Sequence, residues 1–263
     1  NVFENNSDDG IDHDGAVAGV VENNIIQFND DDGIEIRLHE YSGPTLNITI
    51  RDNVIHGNRE DGIQLIDYPD LSDRVFYIER NLITNNHFAG LGLMDNGVSN
   101  EDYRAASIPE RIYLYNNTFS SNQTTDPDGN VVTGGYAVTG GDNLLAINNI
   151  FIGHANVAVK EIDGDSTVTY NLFWNNGTDN QGSNVDNATS LFADPLLGGD
   201  YRPKSGSPAL DAGTANFVWK GEVVLDISPG GYNGSAPDMG WLETSSDNVD
   251  LSISHFIPLI VDS

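Results

Sequence analysis

The sequence predicts an all-β solenoid of parallel strands. Three observations predict it: a recurring hexapeptide, a glycine at a fixed offset from it, and an apolar alternation after that glycine. The hexapeptide is Asn, two apolar or small residues, two variable residues, then a closing Asn. It reads NVFENN from Asn1, NIIQFN from Asn24, NVIHGN from Asn53, NLITNN from Asn81, NTFSSN from Asn117, NIFIGH from Asn149 and NLFWNN from Asn171. Successive copies lie 23, 29, 28, 36, 32 and 22 residues apart, a solenoid period. Gly10, Gly33, Gly62 and Gly90 each fall nine residues after their leading Asn, and IDH, IEI, IQL and LGL follow them with strand-like alternation.

Each copy therefore reads as one coil: a short strand, a turn containing Asn, and a second short strand begun by Gly. One coil cannot bury its apolar face alone, whereas stacking at about 4.8 Å per coil pairs every strand and lines Ile on Ile inside. Asn at equivalent turns can stack as well, bonding the coils above and below through its amide, and it tolerates left-handed backbone. Antiparallel hairpins would also give short strands, but they do not require the same residue at the same offset in every coil.

The N-φ-φ-x-x-N copies followed by Asp9-Gly10-Ile11, Asp32-Gly33-Ile34 and Asp61-Gly62-Ile63 resemble the coils of the pectin-lyase-like superfamily over about residues 1–180. The resemblance implies a right-handed parallel β-helix of about seven recognisable coils. It implies less about activity, because that superfamily includes polysaccharide lyases, glycoside hydrolases, uronate epimerases, tailspikes and non-catalytic surface proteins. Coils are expected over residues 1–186. Phe192 to Pro195, Asp200 to Arg202, Ser207 to Gly213 and Pro237 to Glu243 are similar to the tail that closes many secreted bacterial β-helix proteins. Residues 187–243 are accordingly expected to cap the last coil, since an open coil exposes unpaired strand edges. Residues 244–263 read as a terminal strand or a junction. Asn1 opens directly on a repeat, which predicts either chain upstream or self-association at that end.

The 263 residues include 40 Asp and Glu against 11 Lys and Arg, a formal net charge of −29. That excludes nucleic acid and anionic membrane as partners, since both demand a basic face. No apolar run reaches the length of a membrane-spanning helix. Cysteine is absent, so disulfides and thiolate metal sites are excluded. The Asp excess over three lysines, Lys160, Lys204 and Lys220, fits a calcium-rich extracellular setting, and the chain is expected to be secreted or displayed on a cell surface.

Outward side chains at equivalent positions form columns. Counting from each Gly, one column holds Asp12, Glu35, Gln64 and Gly92, and another holds Asp14, Arg37, Ile66 and Met94. Asp12, Asp14, Glu35 and Arg37 then share a patch, with His39 and Asp67 at its margin. Oxygen-only clusters suit Ca²⁺, so Asp12, Asp14, Glu35 and Asp67 are the candidate ligands. Calcium gripping an acidic sugar's carboxylate would acidify its C5 proton for Arg37 or His39 to take, the β-elimination of polysaccharide lyases. Asp12 and Glu35 complete the candidate catalytic set. The same carboxylates suit hydrolysis, one as general acid and one as base. A protein that is acidic everywhere also shows such columns as solvated faces.

A second acidic series, Asp8-Asp9, Asp31-Asp32 and Glu60-Asp61, precedes the glycines. Its carboxylates suit backbone N–H groups in turns or calcium bridging adjacent coils. The long loops after coils two to four carry Tyr41, Tyr68 and Tyr103, which could stack sugar rings, and Arg74 and Arg104, which could meet an anionic group or pair locally. The sequence thus supports a polysaccharide-active protein, a lyase or hydrolase with its cleft over coils one to four. It equally allows a non-catalytic adhesin or sheath module, with the solenoid as spacer.

Overall fold

The computed structural model describes residues 1–68, 73–94, 108–125, 129 and 134–244. The first six coils each contribute three strands, one more than the repeat predicts. The residues inside the seven hexapeptides, followed by Leu191–Phe192, form an eight-stranded sheet that begins at Val2–Glu4. The strands at Gly10, Gly33, Gly62 and Gly90, with three later ones, form a second sheet of seven, from Ile11–Asp14 to Thr178–Gln181. The third sheet has six strands: Gly19–Glu22, Leu46–Arg51, Arg74–Glu79, Arg111–Tyr115, Leu144–Ile147 and Thr167–Thr169. Every pairing between coils is parallel. The missed strands carry a period-two signal of their own, as in LNITIR and RVFYIE, whose inward residues are buried and whose outward ones are less so.

The leading and closing asparagines of the repeat form ladders. The leading Asn amides donate Nδ2 to the next coil's Oδ1 from Asn1 through Asn24, Asn53, Asn81, Asn117 and Asn149 to Asn171, at 2.9 to 3.2 Å. The closing Asn residues do the same from Asn6 through Asn29 and Asn58 to Asn86. Left-handed backbone falls on their neighbours. Asn23, Asp52, Arg80, Asn116, Asn148 and Tyr170 precede a leading Asn, and Asn5, Phe28, Gly57, Asn85, Ser121, Gly153 and Asn175 precede the closing residue. These residues turn the chain between sheets, while the amides beside them satisfy backbone groups that the corners leave without a strand partner.

The fixed glycines also have a reason other than φ. A Cβ on Gly62 would meet Ile83 Cγ2 at 2.7 Å, Asn86 Nδ2 at 2.8 Å and the Gly90 carbonyl at 2.8 Å. The second ladder therefore occupies the space a side chain would need.

Inside the stack, Ile26, Ile55 and Ile83 give way along one column to Phe119, Phe151, Phe173 and Phe192, whose rings stack at 5.4, 5.1 and 5.5 Å. The segment after residue 187 adds the strand Leu191–Phe192 and then runs back along the flank of the coils. Ala209 and Met239 pack on Ile150 and Leu172, and Trp241 N donates to Thr118 Oγ1. An antiparallel hairpin, Asn216–Trp219 with Glu222–Asp226, lies against the tyrosines of the third sheet through Trp219. The tail expected to cover the last coil thus lies along the side of the stack as far back as Thr84, whose Oγ1 is 3.3 Å from Tyr201 OH. The junction expected at 244–263 lies outside the described residues apart from Thr244.

Candidate functional site

The register of the second sheet brings Asp12 beside Glu35 and Glu35 beside Gln64, and likewise Asp14 beside Arg37 and Arg37 beside Ile66. Asp12 and Asp14 are exposed at the first coil, while Glu35 is only 5% exposed. Arg37 lies across Glu35 with Nε to Oε1 at 2.8 Å and Nη2 to Oε2 at 3.0 Å, and its Nε is 3.4 Å from Asp14 Oδ1. His39 follows, its Nε2 3.8 Å from Asp14 Oδ1 and its ring 4.3 Å from that of Tyr68. Tyr68 is also hydrogen-bonded to Arg37. Asp14, Glu35, Arg37, His39 and Tyr68 are therefore one contact network.

Further along the same columns the outer face closes. Ile66 and Met94, fully buried, join Phe88, Ala89, Tyr136 and Val157 in an apolar cluster outside the sheet, with Tyr68 at its edge. Among the described residues the polar patch lies over coils one and two, whereas the sequence predicts a cleft over coils one to four. Apolar side chains at the outward positions of coils three and four account for the difference.

Three other expectations change. Arg74, expected to meet an anionic group, is 2% exposed and directs Nη2 into the main-chain carbonyls of Gly15 at 3.1 Å and His39 at 2.9 Å. Tyr41 folds over its own loop, its ring blocking the space beside Gly43 and lying 6.0 Å from the Arg74 guanidinium. Asp67 pairs in register with the core residue Leu38 and is buried, apart from the carboxylate clusters described below. Tyr103 and Arg104 lie outside the described residues.

The second acidic series is the more organised. Asp9 Oδ1 accepts the Asp32 N–H at 2.9 Å, Asp32 Oδ1 the Asp61 N–H at 2.7 Å, and Asp61 Oδ1 the Ala89 N–H at 2.8 Å. This column meets the first patch. Carboxylate oxygens of Asp9, Asp12 and Glu35 lie within 4.8 Å of one another, as do those of Asp8, Asp9 and Asp31 and those of Asp31, Asp32 and Glu60. Asp9 is the residue that joins the two series, a role the sequence did not assign. Its only signal there was its fixed place before Gly10.

Burial pushes the Asp9 carboxyl up to about 7, Glu35, Asp31 and Asp8 adding to the rise against the Asp32 N–H. Asp32, fully enclosed, is held well above the usual carboxylate range by burial and then by Asp61, Asp31 and Asp9. Glu35 is raised by burial, with Arg37 opposing. A row of carboxylates this close must keep protons or hold a cation. The donor set is oxygen alone, which fits Ca²⁺ and not zinc.

A family model described as a right-handed β-helix region matches residues 1–105. With the three parallel sheets, it makes the protein a right-handed parallel β-helix. Among solved structures the chain is similar to pectate lyase Pel9A, with a TM-score of 0.56 and 16% identity, over 93% of this chain. The chain spans 64% of the length of that protein. No curated protein matches the sequence. No helix among the described residues is long and apolar enough to cross a membrane.

Proposed function

We propose that this chain is an extracellular polysaccharide-active β-helix, a lyase acting on uronate-containing glycan with calcium at the first two coils. The observation that carries this reading is the convergence of Asp9, Asp12 and Glu35 beside the Arg37, His39 and Tyr68 network. Asp9, Asp12, Glu35 and, on the adjacent ridge, Asp8 and Asp31 would hold Ca²⁺. The ion would supply positive charge toward the sugar carboxylate, which makes the neighbouring C5–H more acidic and lets a polyanion approach a chain of net charge −29.

The residues divide the remaining work. Arg37 is already forked on Glu35, and an arginine so paired stays charged, so it serves as a fixed cation and orients Glu35. His39 is partly exposed at the margin, and its imidazole is the side chain placed to act as general base. His39 takes the C5 proton, the C–H electron pair becomes the C4–C5 double bond, and the C4–O glycosidic bond breaks, its oxygen taking a proton from water. Tyr68 backs the His39 ring and fixes its orientation. The similarity to a pectate lyase supports the lyase over the hydrolase.

The test is incubation with uronate polymers, with calcium and with chelator, read by the ultraviolet absorbance of the unsaturated product. A calcium-dependent rise abolished in His39→Ala supports the reading; no rise on any uronate polymer overturns it. One observation favours a second reading, a non-catalytic module bridged by calcium. The Asp9, Asp32 and Asp61 carboxylates already serve as backbone acceptors from coil to coil, a purely structural use.

A further inference from the structure

At the corner between the first and second sheets, where Asp30 and Arg59 precede the Asp31 and Glu60 of the acidic ridge, the surface holds a depression of about 430 Å³. Phe28, His56, Gly57, Arg59, Asn85 and His87 line it, with Asp30 and Gln123 at its ends. Backbone hydrogen bonds put Asp30, Arg59, His87 and Gln123 in one column on successive coils, each N–H donating to the Asn that closes the previous coil's hexapeptide. Gly57 has no side chain, which opens the floor between Phe28 and Asn85, and the Phe28 ring leans over it, 2.7 Å from where a Cβ would lie.

Phe28 is anomalous. It occupies the left-handed corner at φ 55°, where the equivalent coils use Asn5, Gly57, Asn85, Ser121, Gly153 and Asn175. A bulky side chain is strained there, and no other coil places one at this corner. Packing does not explain it: the ring is 48% exposed, touching His56 edge-on at 5.2 Å. An exposed aromatic face, two imidazoles, an arginine, a carboxylate and two amides around a depression of this size are the chemistry that seats a sugar ring and bonds its hydroxyls. The lining sets one carboxylate, Asp30, against one guanidinium, Arg59, and burial lowers the His56 pKa, which favours the neutral ring. The depression therefore has no surplus of fixed cations to hold a uronate.

We infer that this corner binds a neutral sugar unit, stacked on Phe28 and hydrogen-bonded by His56, Arg59, Asn85 and His87. The inference rests on the polysaccharide reading above and narrows it. The glycan would be a mixed one, with uronates at the acidic patch and neutral sugars, in the backbone or as branches, at the corner.

The test is a titration of the full chain with a panel of neutral trisaccharides and with a uronate trisaccharide, read by NMR of the histidine ring protons. His56→Gln and His87→Gln assign the signals. Phe28→Asn is the diagnostic variant: it removes the ring and puts at the corner the residue that three other coils use, so it is expected to fold at least as stably. The expected result is that at least one neutral trisaccharide shifts His56 and His87, with affinity falling about tenfold in Phe28→Asn. Shifts caused by the uronate trisaccharide alone would overturn the neutral assignment. So would neutral binding that Phe28→Asn leaves intact. If no sugar moves either histidine while uronate polymers are still cleaved, the corner site falls and the lyase reading stands. If uronate polymers are neither bound nor cleaved, the lyase reading falls, and without a sugar shift at His56 and His87 the corner falls with it.

Discussion

The Arg37 guanidinium is forked on the Glu35 carboxylate two residues before it on the same strand. Both side chains point outward there, and the arginine offsets one of the carboxylates that crowd this corner. Arg37→Ala removes that compensation from a carboxylate that is nearly inaccessible to water. A loss of about 1–3 kcal/mol in urea unfolding is expected in the absence of calcium, with part of it recovered when calcium is added.

Calcium and pH should trade against each other. Asp9 titrates near 7 in the folded chain against 3.8 unfolded, and Asp32 shifts in the same direction. In that window the native chain binds more protons than the unfolded one, so stability falls as pH rises from about 4 to 7. Metal-free protein should therefore melt at a higher temperature near pH 5 than near pH 8, as far as these groups decide it. Added calcium should raise the pH 8 melting point and barely change the pH 5 one. A calcium response equal at both pH values would dissociate the ion from these carboxylates.

His154 acts with the opposite sign. It closes the sixth hexapeptide where every other copy has Asn, and burial holds its pKa down at about 3. The unfolded imidazole takes up a proton near 6.5 while the folded one stays neutral, so its contribution is lost as pH falls from about 6.5 towards 3. His154→Asn should gain on the order of 2 kcal/mol over the parent at pH 5 from this linkage. The gain should shrink towards pH 8, as measured by thermal unfolding at both values.

The ladder amides should differ in worth by position. Asn81 donates to Asn117 Oδ1 and the Ile50 carbonyl and accepts from the Asn53 N–H and amide, all buried. Asn81→Ala should cost about 2–4 kcal/mol by leaving several of these groups without partners, whereas Asn6→Ala, at the exposed first coil, should cost under about 1. Denaturant midpoints of the two variants check this.

Gly62→Ala should destabilise by about 1–3 kcal/mol although its φ is ordinary, because the added methyl meets a backbone carbonyl that cannot move without breaking the sheet. Chemical unfolding of this variant beside Gly15→Ala separates the two reasons for glycine. Gly15 has φ 86° and nothing near its missing Cβ, so only backbone strain opposes the alanine there.

The stack was legible because a ladder needs the same residue at the same place in every coil, and Asn24, Asn53, Asn81 and Asn117 announce it. The third sheet was less so, since its strands alternate without one residue type held at the same place through every coil, as Arg74–Glu79 and its partners show. The columns Asp12–Glu35 and Asp14–Arg37 could be counted from the glycines. Counting also placed Ile66 and Met94 in the second column, but it could not show that Phe88, Tyr136 and Val157 would join them in an apolar cluster, nor that Arg74 would turn inward to main-chain carbonyls, because neither contact follows from the repeat. The Phe28 corner escaped for a related reason: its strain is a property of backbone angle, invisible in a variable position of the repeat.

The asparagine ladder also governs how such a chain can change. Asn81 and Asn117 are 36 residues apart and Asn149 and Asn171 only 22, yet the amide bonds that join each pair are 3.0 and 2.9 Å long. The stack keeps its pitch in hydrogen bonds and is indifferent to how many residues the chain spends between them. Insertions that leave a coil at its loops and return in phase cost the scaffold little beyond loop-closure entropy. A protein built this way can lengthen, exchange or lose the walls of a binding face one coil at a time, while the ruler behind them stays unmarked.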